Sequence, residues 1–134
     1  MIQSAKEFYE LRLSEDLNQQ NRATNDEASL ETWREIINHF PDLKQWVVHN
    51  KTVPIEILEI LSGDISENVR SEVARKRKIS LDIQLRLSKD EDFSVRHALV
   101  YNRRLKKEIL EVLAVDSEIQ IKNKAEERLQ KGDY

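Results

Sequence analysis

Two stretches of the chain can be laid over one another. They are Asp64-Ile65-Ser66-Glu67-Asn68-Val69-Arg70-Ser71-Glu72-Val73-Ala74-Arg75 and Asp90-Glu91-Asp92-Phe93-Ser94-Val95-Arg96-His97-Ala98-Leu99-Val100-Tyr101. Asp, Val-Arg and a second apolar residue fall at the same places, 26 residues apart. The match extends outward in both directions. Asp116 continues the first column. Leu43, Val69, Val95 and Ile121 form an apolar column, Lys44, Arg70, Arg96 and Lys122 a basic one, and Val47, Val73, Leu99 and Ala125 a second apolar one. The second half of each unit agrees, through Val53, Ile79 and Leu105, then Ile57, Ile83 and Ile109, then Leu61, Leu87 and Leu113. Columns that keep their residue class at one period are the signature of a repeat architecture.

Within a unit the apolar spacing is helical. Val69 and Val73 are i and i+4, as are Ile83 and Leu87, so each pair shares one helix face. A unit of this length accommodates two helices of about ten residues joined by tight turns. The spacing predicts a first (A) helix near 67–76 and a second (B) helix near 80–88. Pro54 suits the first turn of a B helix, where no amide donor is required. Helices this short are marginal alone in water, so neighbours must supply the burial. Upstream, Trp33, Ile36 and Ile37 match Ile57, Ile60 and Leu61 at an offset of 24, as a degenerate unit. Ser4-Ala5-Lys6-Glu7 has the spacing of a capping box that opens a helix carrying Phe8, Leu11 and Leu13. A lone charged helix is expected near 118–130. The expected organisation is one domain, with capping helices and the degenerate unit over 1–40, three full pairs over 41–116, and a closing helix and tail over 117–134.

Composition narrows the class. Hydrophobic residues are 39% and charged residues 35% of 134, with two glycines and two prolines. So little turn punctuation disfavours a sandwich or barrel and favours helices. Without cysteine there are no disulfides and no thiolate metal sites. No apolar run approaches a membrane span, and residues 1–7 lack the basic start and apolar stretch of a secretory signal. A cytoplasmic protein is the expectation. Charge is unevenly spread: residues 1–65 carry 6 basic and 12 acidic side chains, residues 66–107 carry 12 and 6, and residues 108–134 carry 4 and 7. An acid–base–acid layout of this kind shapes partner choice.

The columns resemble HEAT-like repeats, and especially the leucine-rich repeat variant. Asp64 with Val69-Arg70 and Val73-Ala74 carries the likeness, as does Asp90 with Val95-Arg96, Leu99-Val100 and Asn102. Val47-Val48-His49-Asn50-Lys51-Thr52-Val53-Pro54 matches the helix-end and proline portion. The likeness covers roughly residues 41–129, and 20–40 loosely. The pattern departs at Lys76, which lacks the Asn, and at Ser80 and Lys106, which lack the Pro. What the resemblance implies is an all-α, right-handed α-solenoid of short helix pairs. It also implies a ladder pairing Asp64 with Arg70, Asp90 with Arg96 and Asp116 with Lys122, with the B helices lining the concave side.

No enzyme signature stands out. Gly63 and Gly132 are isolated, so no phosphate loop exists, and His39, His49 and His97 have no metal-ligand spacing. The chain reads as a non-enzyme, with no catalytic, cofactor or metal residues. At 100° per residue, two sets of positions turn away from the apolar columns. On the A helices these are the columns Gln45, Ser71, His97 and Asn123; Trp46, Glu72, Ala98 and Lys124; and His49, Arg75, Tyr101 and Glu127. Trp46, His49, Arg75, His97 and Tyr101 form a candidate protein-binding face, since aromatics and Arg are enriched at interface hot spots. On the B helices the outward columns are Thr32, Glu56, Asp82 and Glu108, then Glu35, Glu59, Leu85 and Glu111. Glu35, Glu56, Glu59, Asp82, Glu108 and Glu111 make this face acidic and suited to a basic protein partner. First-turn acids also complement the helix dipole, which is the purely structural reading. Arg75-Lys76-Arg77-Lys78, echoed by Arg103 and Arg104 and by Lys106-Lys107, is a candidate phosphate-binding ridge at the A–B turns. The expected function is a protein-binding module, with an immunity or inhibitor protein masking a basic nuclease toxin as the specific form. A nucleic-acid binder using the basic ridge is the alternative. No membrane partner is expected.

Overall fold

A computed structural model describes all residues, 1–134. It is all-helical: ten α-helices and one 3₁₀ turn, with no strand beyond an isolated bridge between Ile2 and Ala28. All five apolar columns are buried, from Leu43, Val69, Val95 and Ile121 through to Leu61, Leu87 and Leu113. Each Val, Leu or Ile among them contributes roughly 1.5–3 kcal/mol of burial. That contribution lets helices of seven or eight residues persist. The chain divides into two compact units, residues 1–61 and 62–134.

The first unit holds α1 (Ala5–Leu13), α2 (Leu17–Asn25), α3 (Leu30–His39), the 3₁₀ turn Pro41–Leu43, α4 (Lys44–His49) and α5 (Ile55–Leu61). Ser4 Oγ accepts the Glu7 amide at 3.1 Å, as the capping spacing predicts, while the Glu7 carboxylate accepts from the Gln3 amide rather than from that of Ser4. Phe8 and Leu11 are buried, but Leu13 at the helix end is exposed. The Phe8 and Trp33 rings meet edge-on at 5.6 Å in the middle of this unit. Asn50, fully buried after α4, donates to the carbonyls of Ala23 and Asp26 and accepts from the Thr52 amide. One side chain thus pins the α4–α5 turn to the end of α2.

The second unit holds α6 (Glu67–Ala74), α7 (Leu81–Ser88), α8 (Phe93–Val100), α9 (Lys107–Leu113) and α10 (Ile119–Lys131). Helix α8 packs against α6 and α10, and α7 packs against α9. Start signals are local: Ser80 Oγ accepts the Ile83 amide, and Asp92 Oδ1 accepts the Ser94 amide. Helix α10 stops at Gly132, whose φ of 67° is the left-handed conformation that glycine adopts without strain.

Three positions expected to face outward are buried: Thr32, Ser71 and Ala98. Ser71 and Ala98 lie on α6 and α8, which pack together, and their small side chains are what a close helix–helix approach requires. Thr32 is drawn in by the Ser29 cap, whose hydroxyl bonds both its amide and its Oγ1.

The expected six-residue Asp–Arg pairing is corrected in its partners. Arg70 does reach back six residues, but its Nη1 bonds the main-chain carbonyl of Asp64 at 2.7 Å. Its carboxylate partner lies twenty residues ahead: Arg70 Nε and Nη2 grip both oxygens of Asp90. Arg96 repeats the arrangement with the Asp90 carbonyl and the Asp116 carboxylate. The Asp carboxylates also accept amides two residues on, from Ser66, Asp92 and Glu118. Asp90 and Asp116 therefore each serve their own turn and the preceding arginine at once. The Asp90 hydrogen bond, with nearby carboxylate charge and against the opposing effect of burial, holds the Arg70 guanidinium above its ordinary range. At 122 the column holds Lys, and Lys122 forms no such pair.

Candidate functional site: a basic and aromatic hollow in residues 62–134

The turn after α6 carries Arg75, Lys76, Arg77 and Lys78, and the turn after α8 carries Arg103 and Arg104. Asn102 joins them. It is buried, its Nδ2 donates to the carbonyls of Ala74 at 2.7 Å and Lys76 at 2.8 Å, and its Oδ1 accepts the Arg104 amide at 2.9 Å. This side chain fixes two basic turns against each other. Between them lies a hollow of about 390 Å³, walled by Arg75 and Arg77 on one side and by His97, Ala98, Tyr101, Asn102 and Arg103 on the other.

Basic residues at helix C-termini commonly cap the last carbonyls. Here other donors perform that task. The Ala74 carbonyl is taken by Asn102, that of Val73 by the Lys76 amide, and that of Glu72 by the Arg75 amide. After α8 the carbonyls of Val100 and Asn102 both accept from Arg128 Nη1, at 2.8 and 2.7 Å. Arg128 is 3% exposed, and its Nε is bonded to the Asp133 carboxylate at 3.1 Å, so its guanidinium is engaged inside the fold. The arginines around the hollow are consequently left with outward-facing donors. Arg75 meets only Glu72, one turn back on its own helix, and Arg77 and Arg103 make no ion pair. Lys76 is half-buried; burial first, then Lys78, lowers its amine below the ordinary lysine range, against a smaller opposing effect of Glu72. Burial lowers Lys78 as well.

The hollow also has an aromatic wall. Tyr101 is 53% exposed, and its ring lies 5.1 Å from that of His97, tilted by 48°. Lys124 Nζ from α10 lies 5.2 Å from the Tyr101 ring centre. With these two neighbours the ring is positioned and polarised, and about half of Tyr101 remains open to solvent.

The other expected site residues fall as follows. Trp46 and His49 meet edge-on at 5.9 Å in residues 1–61, and the Arg12 guanidinium lies 3.6 Å from the Trp46 ring centre. Helix α1 therefore covers Trp46, which is half-buried, while His49 is exposed. Of the acidic set, Glu35, Glu56 and Glu59 are exposed in the first unit, and Asp82, Glu108 and Glu111 in the second. Asp82, Glu108 and Glu111 stand without an ion-pair partner. No group of three or more His, Asp or Glu side chains is placed to hold a metal.

Two structural residues of the site, Asn102 and Arg128, have no distinctive local motif: Asn102, like Asn50 in the first unit, reads as a helix-end residue, and Arg128 as one charge on a charged helix. Their shared column, 50, 102 and 128, was the available signal, because all three donate to the turn preceding their own. Lys76 occupies the remaining place in that column.

No family model matches the chain, and neither a curated protein nor a solved structure was found to be similar to it.

Proposed function

We propose that the protein is a non-catalytic binding module built as a HEAT-like α-solenoid of 26-residue helix pairs, and that the hollow at the α6–α7 and α8–α9 turns is its recognition site for an anionic partner. The observation that carries this reading is the division of labour at the two turns. Asn102 and Arg128 satisfy the helix-end carbonyls, so Arg75, Arg77 and Arg103 keep their donors for something outside. A planar fork with five donors suits a phosphate or carboxylate better than a point charge does. The solenoid reading draws support from the burial of the five columns and from the Arg70–Asp90 and Arg96–Asp116 pairs, one a copy of the other displaced by a repeat length. The test is calorimetric titration with tripolyphosphate, a probe with charge and no aromatic part. Saturable binding that is lost in Arg77→Glu with Arg103→Glu is the expected result; indifference to both substitutions rejects the site.

A second reading has its own observation. Asp82, Glu108 and Glu111 are exposed on α7 and α9 and carry no counter-charge. A face of that kind attracts a basic protein, and an immunity or inhibitor protein masking a nuclease is the specific form this takes. Charge reversal at Asp82, Glu108 and Glu111 that leaves capture of a basic partner protein intact would dispose of it.

A further inference from the structure

We infer that the hollow binds single-stranded nucleic acid, with one base laid on Tyr101 and the adjoining phosphates held by Arg75, Arg77 and Arg103. The inference rests on the anion-binding reading above and adds the identity of the anion.

Three features favour this ligand. The first is the combination of charge with an exposed ring. In the sequence the basic runs contain no aromatic residue, but the fold sets Tyr101 and His97 from α8 in one hollow with Arg75, Arg77 and Arg103. Guanidiniums beside a stacking surface are the two parts a single strand requires, because every base has a flat face and every linkage a charge. The second is extent. Basic side chains continue past the hollow along both turns, through Lys78 on one and Arg104 and Lys106 on the other, with no acidic residue in 75–78 or 103–107. A ligand of repeating charge uses such a track; an isolated phosphate does not. The third is shape. A recess of about 390 Å³ admits a nucleotide-sized group, and in a duplex the base faces are stacked on one another and unavailable to Tyr101.

The surrounding groups are compatible with this ligand. Asn102 has both ends of its amide engaged in the scaffold, so it holds the walls and reads nothing. Selectivity among bases is therefore expected to be slight, since stacking alone discriminates weakly. Glu72 is the one carboxylate paired with the arginines, half-buried and bonded to Arg75. A phosphate displaces it without uncovering a buried charge.

The experiment is fluorescence anisotropy with a labelled short oligothymidylate at low salt, compared with an abasic strand of equal length, the corresponding duplex and tripolyphosphate. The single strand is expected to bind most tightly. Tyr101→Ala is expected to weaken it about five- to hundredfold, leaving the abasic strand unaffected, and Tyr101→Trp to preserve it. Arg77→Glu with Arg103→Glu is expected to abolish binding of every probe. The slope of log affinity against log salt is expected to fall by about 0.7 for each arginine replaced by Gln. Tyr101 is exposed, so its variants are expected to fold, which thermal unfolding checks directly. If the abasic strand or tripolyphosphate binds as tightly as oligothymidylate and Tyr101→Ala changes nothing, the base-stacking inference falls while the anion site stands. If the duplex binds more tightly than the single strand, the inference falls in the same way. If no probe binds, both readings fall.

Discussion

Asn102 Nδ2 lies 2.8 Å from the main-chain oxygen of Lys76, so the residue that closes α8 is bonded to the backbone between the two arginines that follow α6. Its second amide hydrogen goes to Ala74, and its oxygen receives the amide of Arg104. Three of the four hydrogen-bonding places on one buried side chain thus connect the turns that build the hollow.

Asn102→Ala strands the Ala74 and Lys76 carbonyls and the Arg104 amide together. A loss of about 2–3 kcal/mol is expected, set by the cost of leaving buried polar groups unpaired. Urea unfolding measures it. Anion binding should weaken in the same variant although Asn102 contributes no charge, because the arginines lose their fixed spacing. A variant destabilised as predicted but binding tripolyphosphate normally would show that the clamp and the hollow are independent.

The second prediction concerns the ladder. The Arg96 side chain is 14% exposed and that of its partner Asp116 is 6%. Arg96→Ala leaves the Asp116 carboxylate buried with no cation and removes the donor to the Asp90 carbonyl. About 3 kcal/mol of destabilisation is expected. Arg96→Ala combined with Asp116→Ala should cost less than the sum of the two single substitutions, since the pair acts as a unit. Additive costs would mean the bidentate geometry contributes little.

A pH effect follows from Lys76. Its amine is lowered in the folded chain, chiefly by burial. Between that lowered value and the ordinary lysine value, the unfolded chain holds the proton and the folded chain releases it. Stability therefore rises with pH across this alkaline window, and the penalty is present in full below it. Comparing the wild type with Lys76→Gln by urea unfolding across the same window reads the effect as a flatter curve for the variant. A wild-type profile no steeper than that of the variant would count against it.

Gly132 closes α10 at a φ of 67°, and the Asp133 amide returns to the Arg128 carbonyl at 2.9 Å. Arg128 in turn holds Val100 and Asn102. Gly132→Ala is expected to cost about 1 kcal/mol and to loosen the end of the helix. Amide hydrogen exchange at 128–133 should accelerate, while exchange across α6 stays unchanged.

The helices and their buried faces were readable because both follow from short-range spacing. Val69 with Val73 and Ile83 with Leu87 mark a helix face wherever neighbours are packed. What escaped notice depended on how elements approach one another. A wheel places Ser71 and Ala98 outside, yet small side chains are what allow α6 and α8 to come together, so both are buried. Arg70 and Asp64 looked like partners because they are near in sequence. The carboxylate that Arg70 grips is twenty residues away, and no local pattern states which of two aspartates a guanidinium will choose. The hollow was partly legible: Arg75, His97 and Tyr101 fall on one expected A-helix face, but that this face opens onto Arg77 and Arg103 depends on how α6 and α8 pack. For Trp46 two readings were open, a binding face or a contact with the N-terminal segment, and the fold places Arg12 over its half-buried ring.

The most direct test of the recognition site is an amide and side-chain guanidinium NMR titration of the whole chain with tripolyphosphate. The account predicts saturable shifts confined to 75–78 and 97–104, including the Nε–H signals of Arg77 and Arg103, with Arg70, Arg96 and Arg128 unmoved. Equal, non-saturating shifts at basic residues across the surface, with Lys89 and Arg34 moving as far as Arg77, would contradict it.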